Sequence, residues 1–169
     1  MDDFISEIFA LEKPCLIGEG DFVKALSNVL TNWDSEVSLN EALRVWTLIE
    51  PDADILDLIM KLKNDYIVCL ATNQQKFRAN YMSFELGYDE LFDFSFYSCQ
   101  LGKVKPSVEY FKAILNKLNL KSNNLLLLDD DRKNIGSAQE IGIHAEIFNI
   151  SDKVEGLKNI LTKYHIVIT

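Results

Sequence analysis

Asn124 to Asn134 reads NLLLLDDDRKN. Four leucines run directly into three aspartates, Asp129, Asp130 and Asp131, followed by a basic pair and an asparagine. Clustered carboxylates repel one another, so a cation or a hydrogen-bond network must offset them nearby. Two other polar clusters follow apolar runs in the same way. Thr72, Asn73 and Gln74 follow YIVCLA, and SCQLGKVK, with Lys103 and Lys105, follows FDFSFY. A hydroxyl, an ammonium and carboxylates in this combination suit an anion, a divalent cation, or both.

The elements that must position these groups are legible from periodicity. Residues 1 to 48 read as helices: FVKALSNVL and LNEALRVWTLI carry apolar residues at helical spacing, with a polar turn between them. Before Pro51 only CLIG, at Cys15, has strand character. From Pro51 onward short apolar runs alternate with amphipathic helices. YIVCLA, FDFSFYS, NLLLL and HAEIF read as strands; DADILDLIMKLKN, KFRANYMSFEL, PSVEYFKAILNKL, RKNIGSAQEI and VEGLKNILTKY read as helices, with Asp52 capping the first. The tail HIVIT has strand character. Alternating strands and helices imply an α/β fold, a doubly wound parallel sheet covered on both faces. Ligands in such sheets bind beyond the carboxyl ends of the strands, where all three polar clusters lie.

Composition narrows the function classes. The chain has 169 residues, 48% hydrophobic, enough for a core, and a formal net charge of −9. That charge argues against a general nucleic-acid binder and against an anionic membrane surface. The three cysteines, Cys15, Cys69 and Cys99, form no CxxC and read as reduced thiols. The acidic MDDFISEIFA start is not a signal peptide, and no run approaches a membrane span, so a soluble cytoplasmic protein is expected. No glycine-rich phosphate loop is present.

From about Phe22 to Phe148 the chain resembles the haloacid dehalogenase-like (HAD) superfamily, in the subfamily with a small helical cap. Thr72-Asn73 in CLATNQ matches the second family motif. Lys105, directly before Pro106 in LGKVKPSVEYF, matches the third. Asp129-Asp130 with Asn134 in LLLLDDDRKN matches the fourth. The resemblance implies a hydrolase, a phosphatase acting on a small phosphorylated metabolite with Mg2+. In that reading Asp130 is a magnesium ligand and Asp129 supports it. Lys105 and Thr72 are catalytic, and Thr72, Asn73 and Lys105 hold the phosphoryl group.

The resemblance also implies what is missing. The family opens with an apolar strand ending in Asp-x-Asp, whose first aspartate attacks phosphorus. This chain begins where the cap is expected, which divides it into a helical cap remnant at 1–48 and an α/β core at 49–169 lacking the first strand. PDADIL, GEGDF and DDDR offer aspartates but lack the context of that motif. Either YHIVIT or a strand near Cys15 to Ile17 fills the empty position, or the chain is truncated. The expected function is therefore a HAD-like hydrolase inactive or truncated as written, with a non-catalytic binding or regulatory protein as the alternative. Beside these roles stand structural ones: Asp129 and Asp130 as helix caps, Asp131 as a solvated cap, Trp33 and Trp46 as core, and Arg78 on a helix facing solvent or the cap.

Overall fold

The computed structural model describes residues 2–168. Among the described residues ten α-helices and four strands make an α/β arrangement, four of the helices preceding the first strand. The chain divides into two compact units, Met1–Glu50 with Leu70–Val104, and Pro51–Cys69 with Lys105–Thr169. The strands pair two and two: β1 (Cys69–Thr72) with β2 (Phe94–Tyr97), and β3 (Leu126–Asp129) with β4 (His144–Ile147).

The first unit is built on helices. These are α1 (Asp2–Cys15), α2 (Phe22–Asn32) and α3 (Leu39–Arg44). Asp21 starts α2 by accepting from Lys24 N–H, and Ser38 with Glu41 forms a reciprocal capping box at α3. Ile8, Cys15, Phe22, Leu26, Val29, Leu30 and Leu43 close into one apolar cluster, with Val29 fully buried. Each such side chain removed from water contributes roughly 1.5–3 kcal/mol. CLIG is not a strand: Cys15 ends α1 and the chain turns through Gly18. Gly18 holds φ +82°, and a methyl there would collide with the Cys99 carbonyl, so only glycine fits.

After β1 come α5 (Lys76–Asn80), continued by one wide turn over Tyr81–Glu85, and α6 (Tyr88–Leu91). Gly87, at φ +68°, ends that turn, as its place in the sequence implies. Strand β2 leads directly into α7 (Ser98–Leu101).

In the second unit α4 (Ala53–Leu62) starts at Asp52, which accepts from Ile55 N–H and pairs with Lys153. α8 (Val108–Leu118) buries Tyr110, Phe111 and Ile114. β3 and β4 run parallel with Leu126 beside His144 and Asp129 beside Ile147, and α9 (Arg132–Glu140) packs on both. Leu125 and Asp129 carbonyls accept from His144 and Phe148, so the odd residues of β3 face β4. α10 (Lys153–Lys163) joins α4 around Ile55, Leu58, Leu62, Leu157 and Leu161.

The tail adds no strand to either sheet. Ile166 N–H bonds back to Leu161, and His165 turns the chain at φ +56°. Ile166 and Ile168 cover the α4–α10 cluster, while Val167 points out. Their apolar alternation, which reads as a strand, serves a helix surface instead. Thr169 lies outside the described residues. No described helix is long and apolar enough to cross a membrane.

Candidate functional site

Strand alternation puts Leu127 and Asp129 on the same buried row of β3. A carboxylate in that row needs compensation, and three donors supply it. Lys105 Nζ lies 2.6 Å from Asp129 Oδ2, and Asn134 Nδ2 donates to Oδ1 at 2.8 Å. Asp131 N–H also donates to Oδ1, at 2.9 Å. The Lys105 and Asp129 side chains are only 11% and 5% exposed, so the pair is desolvated as well as close. Burial works to raise the Asp129 carboxyl, but Lys105, Asn134 and the Asp131 N–H together hold it below its ordinary value.

The three consecutive aspartates therefore do three different things. Asp129 is buried and saturated. Asp131 caps α9, accepting from Lys133 N–H at 2.8 Å. Asp130 is exposed and makes no hydrogen bond or ion pair among the described residues. Asn134, one turn into α9, is the partner that turns a strand-end acid into an anchored one. Its spacing of five from Asp129 was the signal for it, carried in the sequence by the fourth motif.

Thr72 and Asn73 belong to the first unit, at the end of β1 and just beyond it. Thr72 Oγ1 accepts from Gln74 Nε2 at 2.9 Å. Gln74 N–H donates to Ser98 Oγ at 2.9 Å, and the same hydroxyl donates back to the Gln74 carbonyl. Ser98 is fully buried, so the turn after β1 is clasped to the start of α7.

Against models of protein families, residues 24–147 match the haloacid dehalogenase-like hydrolase family. The chain belongs to this family. A HAD family enzyme of Bacteroides thetaiotaomicron, solved with magnesium and inorganic phosphate, superposes with a TM-score of 0.76 at 21% identity, covering 89% of this chain and 78% of that one. A HAD-like hydrolase of Porphyromonas gingivalis gives 0.78 at 20% identity, covering 91% and 78%. A dehalogenase gives 0.70 at 15% identity over 98% and 82%. At these identities the likeness is one of fold. A segment of 52 residues is 38% identical to bifunctional epoxide hydrolase 2 of Rattus norvegicus, being 31% of this chain and 9% of that protein. The chain thus spans about a tenth of that relative's length.

As a HAD chain its acids can be sorted by what they already do. Each of the three stretches that offer carboxylates to a nucleophile reading gives one aspartate to a helix cap, Asp21 for α2, Asp52 for α4 and Asp131 for α9, and Asp54 lies exposed in the first turn of α4. Among the described strands only β3 ends in a carboxylate, and Asp129 is engaged. Magnesium wants near-octahedral oxygen and takes one or two carboxylates beside waters and substrate. Asp129 has both oxygens committed, which leaves the Asp130 carboxylate alone. No three His, Cys, Asp or Glu side chains gather among the described residues. One carboxylate is within what magnesium takes from a protein when water and substrate complete its shell, so Asp130 is the residue of this run that would hold it.

Proposed function

We propose that this HAD chain handles a phosphoryl group of a small phosphorylated molecule, and that the 169 residues alone bind such a group without turning it over. The observation that carries this is the Lys105–Asp129 contact of 2.6 Å at the end of β3, anchored by Asn134. An ammonium fixed by a buried partner keeps its position at the strand end, which is preorganisation of the kind phosphoryl transfer needs. By the family resemblance Thr72 and Asn73 are phosphoryl-binding residues in this reading as well. Support comes from the family and from the phosphate held by the Bacteroides enzyme of the same fold.

Inactivity follows from the inventory of acids. Covalent catalysis needs a carboxylate poised at a buried strand end and free to attack. Asp129 is saturated, Asp21, Asp52 and Asp131 are caps, and Asp130 is exposed. Hydrolysis of p-nitrophenyl phosphate, with and without magnesium, tests this directly. The expected result is no turnover above buffer, together with saturable phosphate binding that Lys105→Met removes. Robust turnover abolished by Asp130→Ala would sink the inactivity claim. Release of chloride from a 2-chloroacid without any phosphate binding would replace the phosphate reading with a dehalogenase one.

A further inference from the structure

The turn that follows β1 is pinned on both sides of Gln74. The fully buried Ser98 hydroxyl accepts from Gln74 N–H at 2.9 Å and donates to the Gln74 carbonyl at 3.2 Å. The next residue, Gln75, is fully buried too, and its Oε1 accepts from Arg78 N–H at 3.1 Å, which starts α5. With its main chain held in this way, Gln74 sends its side chain back to the strand end, where Nε2 donates to Thr72 Oγ1 at 2.9 Å. All of these residues belong to the first unit.

A threonine hydroxyl carries one proton and two acceptor lone pairs. Gln74 occupies a lone pair of Oγ1, so the proton of that hydroxyl points away from Gln74. Thr72 Oγ1 donates to no group among the described residues. The direction of the bond decides what the hydroxyl has left to offer. Had the side-chain oxygen of Gln74 faced Thr72, the proton would be spent inside the turn, and only lone pairs would remain for a ligand. With the amide nitrogen facing it, the proton is kept, its orientation is restricted, and the incoming N–H polarises the O–H towards stronger donation. We infer that Gln74, held by Ser98, is a positioning residue that aims the Thr72 hydroxyl as a donor at an oxygen with no proton of its own. The inference rests on the phosphoryl reading for the ligand, whose ionised oxygens accept only, and on the Ser98–Gln74–Thr72 chain of hydrogen bonds for the role of Gln74.

A double-mutant cycle on the full-length chain tests it, with inorganic phosphate as the probe. Thr72→Val keeps the shape of the side chain and removes the hydroxyl, and should raise the Kd about thirtyfold, the loss of one hydrogen bond to a charged group. Gln74→Met keeps the length of the side chain and removes the amide. It should raise the Kd about threefold, because Thr72 keeps its hydroxyl and loses only its orientation. In the Thr72→Val background Gln74→Met should do nothing further, since Gln74 acts through a group that is no longer there. Losses that multiply to about a hundredfold would show that Gln74 meets phosphate itself or merely supports the turn, and the inference falls; an unchanged Kd in Gln74→Met also ends it. The hydrogen bond is read without ligand from the Gln74 side-chain amide of nitrogen-labelled chain. That resonance should move in Thr72→Val and stay in place in Thr72→Ser, which restores the acceptor. An amide that ignores Thr72→Val would mean that the Gln74 oxygen faces the hydroxyl, which overturns the inference whatever phosphate does. A parent chain that shows the amide response and binds no phosphate removes the phosphoryl reading instead, and reduces the bond to a contact of the fold.

Discussion

Asp129 in the second unit and Glu12 in the first are both carboxylates withdrawn from water, with a basic side chain and an amide close by. Asp129 has Lys105, Asn134 and a backbone N–H on its two oxygens, and its carboxyl is held below its ordinary value. Glu12 has Trp46, Gln75 and Arg78 acting on it more weakly, and burial outweighs them and pushes its carboxyl up. Burial desolvates both acids, so the strength of the donors in place decides the sign. A saturated network rigidifies what it holds, and where the donors are weaker burial keeps the upper hand.

The comparison breaks most visibly at Lys105. Lys105→Met leaves the Asp129 carboxylate buried without its cation, which should cost about 3–5 kcal/mol in urea unfolding. Lys105→Met combined with Asp129→Leu should recover much of that loss, because the uncompensated charge goes with its partner. No recovery would mean that Asn134 and the Asp131 N–H, not Lys105, carry the acid. The corresponding substitution in the first unit, Glu12→Gln, should cost nothing at neutral pH.

The two acids should also titrate with opposite signs. The lowered Asp129 carboxyl contributes stability that is present above its unfolded value, about 3.9, and is lost as pH falls through the folded value. The raised Glu12 carboxyl contributes stability present below its unfolded value, about 4.3, and lost as pH rises through the folded one. Asp129→Asn should therefore lower stability at pH 7 and flatten the acid limb. Glu12→Gln should raise stability at pH 7 and converge with the parent near pH 4. Stability–pH curves of the two variants that bend the same way would refute the contrast.

What the sequence disclosed follows the same division. Strands, helices and the cap at Asp52 were legible because each is a local matter of period or capping oxygen. Lys105 and the acid pair were legible because the fourth and third motifs hold them at fixed spacing. Which aspartate Lys105 meets was not: Asp129 and Asp130 are adjacent in sequence, and only the alternation of β3 sends one inward and the other out. The tail misled because Ile166 and Ile168 alternate like a strand while covering two helices. The Glu12 cluster was invisible because Glu12, Trp46 and Gln75 lie far apart along the chain, and Trp46 and Arg78 read as core and surface.

The smallest expected effects lie within the aspartate run itself, and they separate its structural members from the one left over. Asp131→Ala removes the side chain that receives Lys133 N–H at the start of α9, so about 1 kcal/mol of stability should go. Asp130→Ala removes an exposed carboxylate with no hydrogen bond or ion pair among the described residues, so unfolding should shift by less than about 0.5 kcal/mol. Asp130 then has no structural task to account for its charge beside two other acids. If Asp130→Ala changes stability as much as Asp131→Ala, the acid serves the fold after all, and the run holds no carboxylate free to meet a ligand.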